Sequence, residues 1–337
     1  LRVAILAQPD WRNVDAFKVM GRPRLFAAIS AGAMDSMVNH YTAAKKVRND
    51  DAYTPGGRSG ARPNRAVIAY TAAVKGAFKG LPTVVGGIEA SLRRLAHYDY
   101  WDNKVRRSVL VDSKADLLLF GMAETALVTL AKRMLAGEAF ETITDLRGTA
   151  FLAKTTPDNA VILPSFEEVS SSTDAYNKAF KLAADEKNPF SGKVLLQAHG
   201  NRQLVVNPPA SPLDEEQLDR IYALPFSKLP HPSYQDVIPA YAQIKFSITS
   251  HRGCCGGCAF CAITHHQGKT IQSRSEQSVQ EELERLSLHP DFRGTVSDVG
   301  GPTANMYGMR CSNPEAQATC RRESCLYPQI CKHLDTR

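Results

Sequence analysis

Four of the eight cysteines in this 337-residue chain fall within the stretch HRGCCGGCAFCAITHHQG, which begins at His251. Cys254, Cys258 and Cys261 are spaced C-x3-C-x2-C, and Phe260 stands just before the third. Thiolates are the soft ligands that iron–sulfur clusters use, so three on one short loop can wrap a single cubane of iron and sulfide, a 4Fe-4S cluster. Three ligands for four irons leave one iron open to a chelating small molecule. Gly253, Gly256 and Gly257 let the loop fold tightly and leave backbone N–H groups for the cluster's sulfurs. Two other chemistries compete. Cys255 opens a second register, C-x2-C-x2-C, like the start of a ferredoxin run, but His265 and His266 stand where that run needs cysteine and proline. Zinc needs a tetrahedral set, with a further ligand such as His265. Cys255 itself reads as a spare small side chain.

The remaining cysteines, Cys311, Cys320, Cys325 and Cys331, lie in the polar segment CSNPEAQATCRRESCLYPQICKH. They are candidates for a second cluster or a zinc ion, with a reduced cysteine-rich loop as the plain alternative. A disulfide framework scatters its pairs over a small secreted fold, whereas these eight are crowded between Cys254 and Cys331, which points to metal. The pairs Arg93–Arg94, Arg106–Arg107 and Arg321–Arg322 suit an RNA substrate or a solvated surface. His97, Tyr98, Tyr100 and Trp101 read as core or domain interface.

The elements that position these residues follow from patterning. At 43% hydrophobic and 22% charged, with a formal net charge of +7, the chain reads as an ordinary globular protein of about two domains. No apolar run approaches the ~20 residues of a membrane span and the opening does not read as a secretory leader, so the expectation is cytoplasmic with no membrane partner. The chain opens on Leu and stops inside the cysteine-rich segment, and reads as a fragment lacking both ends. VAILAQ (Val3 to Gln8), AVIAY (Ala66 to Tyr70), TVVGG (Thr83 to Gly87) and DLLLFG (Asp116 to Gly121) read as buried parallel strands. AETALVTLAKRMLAGE reads as a helix, with Leu127, Leu130, Ala131 and Met134 on one face and Gly137 as its stop. From about 156 to 240 proline, serine and aspartate increase, and the stretch reads as a connecting region with a helix at TDAYNKAFKLAADE. In QIKFSITSHRGC, Ile244, Phe246 and Ile248 alternate with polar residues as a strand does, leading into the cysteines. SRSEQSVQEELERLSLHP then reads as a helix with the stripe Val279, Leu283 and Leu286, and a capping box from Ser278 with Glu281 or Ser273 with Glu276. GTVSDVGG reads as a second strand. Strand, cysteine loop, helix, strand and glycine turn make the opening of a parallel (β/α) barrel.

The cysteine loop resembles that of radical S-adenosylmethionine (SAM) enzymes, whose C-x3-C-x-φ-C motif carries an aromatic residue where Phe260 stands. The resemblance implies that Cys254, Cys258 and Cys261 hold a 4Fe-4S cluster, that SAM chelates the open iron, and that Phe260 lies against the adenine. It implies reductive cleavage of SAM to a 5′-deoxyadenosyl radical, with a reductant protein such as flavodoxin or ferredoxin as partner. The family's GGE-like turn is matched by Gly300 and Gly301, with Pro302 in place of the acid, so backbone carbonyls are left to accept from the SAM ammonium. Longer phrases, SAGAMDSMVNHYTAAKKVRNDDAYTPGG, GGIEASLRRLAHYDYWDNKVRRSVLVDSKADLLLFGMAE, LPHPSY and HQGKTIQSRSEQS, resemble the YgiQ family of radical SAM proteins over most of the chain. The fold this implies is α/β: a Rossmann-like, cobalamin-binding-like domain over 1–155, the connecting region 156–240, and over 241–337 the start of a radical SAM partial barrel, incomplete at its C-terminus. VVGGIEA and DLLLFGMAET are similar to cobalamin-binding domains attached to some radical SAM enzymes, but the D-x-H-x-x-G loop of that group is absent from the sequence. The plain reading of Gly86 and Gly87 is a strand end.

Overall fold

The computed structural model describes residues 2–153 and 157–336. The chain divides into two compact units, Leu1–Asp51 with Ser59–Ala210, and Ala52–Arg58 with Ser211–Arg337. The α/β class expected from the sequence is the one observed.

The first unit is built on a seven-stranded sheet in the order Ala27–Ser30, Thr83–Gly86, Leu117–Leu119, Thr149–Ala153, Arg202–Val206, Leu195–His199, Val161–Leu163. The first three are parallel, and Leu117–Leu119 then meets Thr149–Ala153 antiparallel. The sheet is therefore mixed, not parallel throughout. Val84, Val85, Leu117, Leu118 and Leu119 are all buried, as central strands covered on both faces require. The helix Glu124–Leu135 carries its buried Ala126, Leu130 and Ala131 on one face, and Gly137 follows it at a φ of +94°, the left-handed stop that glycine adopts without strain.

Three expectations are corrected here. AVIAY opens the helix Ala66–Ala77, whose buried Ala66, Val67, Tyr70, Ala73 and Val74 recur at helical spacing. Val3 and Ile5 are 83% and 65% exposed and VAILAQ forms no strand; the edge of Thr83–Gly86 is taken by Ala27–Ser30. The supposed connecting region contributes three strands and the helices Phe166–Ser171 and Thr173–Asp185 to the first unit, up to Ala210. Its polar residues sit in turns while Leu195, Leu196, Leu204, Val205 and Val206 are buried, so averaged composition hides the strands. The boundary expected at 155/156 lies outside the described residues. The hairpin of His97–Asp99 with Lys104–Arg106 leaves Tyr98 and Tyr100 exposed, while His97 is half-buried and Trp101 packs against Tyr41.

The motif VVGGIEA has a structural job. Buried Glu89 accepts from the backbone N–H of Ser36 (2.9 Å) and of Val67 (3.0 Å), tying the first turns of two helices together. Gly87 has a φ of +81° and a Cβ there would stand 3.2 Å from Ser30 Cβ. These glycines close a strand against its neighbours.

In the second unit Ser247–Thr249 and Asp298–Gly300 pair in parallel, with the helix Glu276–Ser287 between them in sequence. Phe246, Ile248 and Leu286 form the core, joined by Val279, Phe292 and Val296. Ile244 lies at the end of the helix Pro239–Ile244 and is exposed, so the strand begins later than its alternation implies. Leu283 is also exposed, and Glu282 is buried instead. The cap is neither expected box. Ser275, extended at φ −65°, accepts from Ser278 N, because Ser278 Oγ is held by Arg274 and Ser273 Oγ by Gly308 N.

Candidate cluster-binding loop

The strand His251–Arg252 pairs antiparallel with Gln272–Ser273, which closes the residues between them into a loop with a pinched base. Cys254 N donates to Gly268 O (3.1 Å), and Gly253 N to Gln267 Oε1 (3.0 Å). Gly253 has a φ of +86°, and a Cβ there would sit 2.2 Å from Thr270 O, so only glycine fits the pinch. At the tip Gly257 is equally constrained, its Cβ position lying 2.5 Å from Glu323 O.

Between these two, a Cβ on Gly256 would lie 3.4 Å from Cys254 Sγ and 3.8 Å from Cys258 Sγ, ordinary contact distances that put both sulfurs beside the same glycine. Cys254 is buried, Cys261 half-buried and Cys258 exposed. Thr303 Oγ1 stands 3.6 Å from Cys254 Sγ, which brings the turn after Gly300 and Gly301 to the loop. Phe260 is 93% exposed and rests on nothing.

The Gly300–Gly301 turn has a cause that the sequence did not disclose. A Cβ on Gly301 would stand 2.1 Å from Nε2 of His251, which is fully buried. That imidazole donates from Nδ1 to Ser250 Oγ (3.0 Å) and accepts at Nε2 from Met306 N (3.4 Å). Burial lowers its pKa, which keeps it neutral in this tautomer. Gly300 is under no such pressure, its Cβ position meeting only Asp298 at 3.5 Å, and its carbonyl already accepts from Ser250 N (2.7 Å). Asp298 thus places a carboxylate beside the turn in which Pro302 replaces the acid.

Cys255 is not spare. It is buried beside Met306 Sδ (3.7 Å), and Cys325 N donates to its carbonyl (2.9 Å). Its thiol is hydrogen-bonded with Cys325, which raises the Cys255 pKa, with burial acting in the same direction. The same bond lowers the pKa of Cys325, helped by Lys269 and Arg322 and opposed by burial. Of the other late cysteines, Cys320 Sγ accepts from Lys269 Nζ (3.1 Å) and Cys311 Sγ contacts Asn313 O (3.3 Å). The thiols of Cys311, Cys320 and Cys325 thus have different partners, and Cys331 N donates to Cys325 O (2.8 Å). Among the described residues no three His, Cys, Asp or Glu side chains gather around a point where one metal ion would sit. A cubane is larger, and its thiolates stand at separate corners. The soft donors of the first loop fit such a group.

Arg274, fully buried, is the residue that sequence reading missed altogether. It pairs with Glu282, donates to Thr249 O (2.8 Å) and to Ser278 O and Oγ, and lies 4.3 Å over the Tyr222 ring. It fastens the strand that enters the cysteine loop to the helix that leaves it. The arginine pairs of the first unit are also committed: Arg93 to Asp35, Arg94 buried 4.7 Å over the Phe120 ring, Arg106 to Asp102 and Asp112, and Arg107 to Asp112. No helix among the described residues is long and apolar enough to cross a membrane.

The family described as Radical SAM N-terminal matches residues 1–247. The chain belongs to that family. A UPF0313 protein of Geobacter sulfurreducens is 59% identical over 99% of this chain and 56% of its own length. The UPF0313 protein YgiQ of Salmonella typhimurium is 46% identical over 99% of this chain and 54% of its own. The chain thus spans about half the length of the curated relatives it matches. Among solved structures, the radical SAM methyltransferase TsrM of Kitasatospora setae, with tryptophan substrate and a SAM analogue bound, aligns at 12% identity and a TM-score of 0.43 over 87% of this chain and 39% of that one.

Proposed function

We propose that this chain carries the cluster-binding part of a radical SAM enzyme, in which Cys254, Cys258 and Cys261 hold a 4Fe-4S cluster and SAM docks at the iron they leave open. The observation that carries this is that Cys254 and Cys258 Sγ both lie beside Gly256, with Thr303 Oγ1, after the Gly300–Gly301 turn, 3.6 Å from Cys254 Sγ. Membership of the Radical SAM N-terminal family supports the same reading. Bound and reduced, the cluster supplies the electron that splits SAM to a 5′-deoxyadenosyl radical.

The chain's own residues do the positioning. Gly253 and Gly257 hold the loop against neighbouring carbonyls, so its curvature is set before any ligand arrives. The Thr303 hydroxyl is placed to donate to Cys254 and soften its charge. Phe260 offers an uncovered aromatic face for a flat base. Gly301 and Asp298 offer a carbonyl and a carboxylate to an ammonium group. A small electron-carrier protein, a flavodoxin or ferredoxin, delivers the electron, and thiolate ligands suit a reducing compartment such as the cytoplasm.

Anaerobic reconstitution of the full-length protein, followed by dithionite and SAM, tests the proposal. Release of 5′-deoxyadenosine, lost in Cys258→Ala, is the expected result. An intact cluster with no SAM cleavage would instead make the chain a non-catalytic iron–sulfur protein.

A further inference from the structure

Two thiols outside the proposed cluster set meet in the second unit. Cys255 is buried and Cys325 half-buried, and their side chains are hydrogen-bonded to each other. Both belong to one small apolar cluster with Met306. The backbone joins them independently, since Cys325 N donates to Cys255 O (2.9 Å). A disulfide needs Cα atoms roughly 4.4–6.8 Å apart, and hydrogen-bonded residues of paired strands lie about 5.5 Å apart. The pair therefore has both the backbone spacing and the side-chain direction that an S–S bond requires.

The surroundings hold this meeting in place from both sides. Gly257, two residues past Cys255, packs on Glu323, two residues before Cys325, where a Cβ would stand 2.5 Å from Glu323 O. Lys269 Nζ donates to Arg322 O (2.7 Å), and Ser324 Oγ accepts from Leu326 N (2.9 Å) and Tyr327 N (3.0 Å). Two cysteines about 70 residues apart in an unconstrained chain would meet rarely. Among the other late thiols, Cys320 meets Lys269 and Cys311 meets Asn313 O. Cys331 N donates to Cys325 O (2.8 Å), which makes Cys331 the competitor for Cys325.

We infer that Cys255 and Cys325 form a reversible disulfide that straps the cysteine loop to the segment 320–331 when the protein meets a low-molecular-weight disulfide. Cys325, the less buried of the two, attacks first as a thiolate. Its sulfur bonds to one sulfur of the small disulfide, whose S–S bond breaks and releases one small thiol. Cys255 then attacks the Cys325 sulfur, the mixed disulfide breaks, and the second small thiol leaves. Two electrons pass from the cysteines to the small disulfide, and the two cysteine protons end on the two released thiols. The strap uses none of Cys254, Cys258 and Cys261, so it needs no cluster and does not rest on the function proposed above. Reversible bonds of this kind serve redox sensing where thiols are otherwise kept reduced.

The test exposes the intact full-length protein, purified without oxygen, to oxidised glutathione. Remaining thiols are blocked with iodoacetamide in denaturant, and the tryptic peptides 253–269 and 323–332 are sequenced by mass spectrometry. The expected result is a linked pair of these peptides whose fragments assign the bond to Cys255 and Cys325. Its abundance should exceed that of any other cysteine pair at least about tenfold, as the high effective concentration of adjacent thiols requires, and dithiothreitol should reverse it. Cys331→Ser should leave the link unchanged. Because the bond is assigned in the unmodified chain, the result does not depend on how a variant folds. The inference is overturned if Cys325 pairs with Cys331, if Cys255 pairs with another cysteine of its own loop, or if both sulfurs are recovered alkylated.

Discussion

At the scale of single residues the site is shaped by what glycine leaves out. Gly300 and Gly301 look interchangeable as a Gly-Gly pair, yet only Gly301 lies against the His251 ring, at 2.1 Å from the position of a Cβ. Its φ is not in the left-handed region, so the constraint is steric contact and nothing else. Gly301→Ala is expected to destabilise the protein by about 1–3 kcal/mol, the range for overpacking a filled site. Gly300→Ala, whose Cβ would meet Asp298 at an ordinary 3.5 Å, should stay within about 0.5 kcal/mol. Chemical denaturation of the two variants separates them. Equal effects would mean that the imidazole moves aside freely and that the turn is not built on it.

At the scale of elements, Arg274 decides whether the cysteine loop has a fixed frame. Its side chain spans Thr249, the last residue of the entering strand, and Ser278 and Glu282 of the following helix, while Lys228 Nζ holds the other carboxylate oxygen of Glu282 at 2.6 Å. Arg274→Ala leaves Glu282 buried without its chief partner, and a loss of about 3–5 kcal/mol is expected. Arg274→Met combined with Glu282→Leu should recover most of it, because apolar isosteres remove both charges together. Failure of the double variant to recover would assign the loss to the Thr249 and Ser278 hydrogen bonds instead. This pairing also marks where sequence reading stops. The cysteine motif is legible because the three cysteines proposed to hold one cluster lie within eight residues, and Thr83–Gly86 and Leu117–Leu119 are legible because buried strands are largely apolar. AVIAY misleads because five apolar residues fit strand and helix equally, and the twelve-residue burial pattern that decides for helix needs the contacts of Glu89 and Ser36. His251 with Gly301, Glu89 with Ser36, and Cys255 with Cys325 join positions far apart in sequence, and no local pattern announces them.

At the scale of the whole molecule, the two units differ in how much apolar packing orders them. The first is stitched by a seven-stranded sheet with an extensive apolar core, and nothing in that sheet approaches the cysteine loop in sequence. Among the described residues the second has two small cores, one of Phe246, Ile248 and Leu286 and one of Cys254, Cys255 and Met306, with one parallel strand pair and short antiparallel pairs. Around the cysteines, order comes from that small cluster, from glycine contacts and from the contacts of Cys255 with Met306 and of Cys320 with Lys269. Metal binding to such a loop contributes directly to its folding free energy. Loading the cluster into the intact protein is therefore expected to slow amide hydrogen exchange over 253–268. It should also slow exchange over 320–331, which is tied to the loop through Gly257 with Glu323 and Cys255 with Cys325. The strands Thr83–Gly86 and Leu117–Leu119 should exchange at unchanged rates, since their protection follows the opening of their own sheet. Protection that rises uniformly along the chain, or that leaves 320–331 untouched, would show that the late cysteines do not brace the loop as these contacts imply.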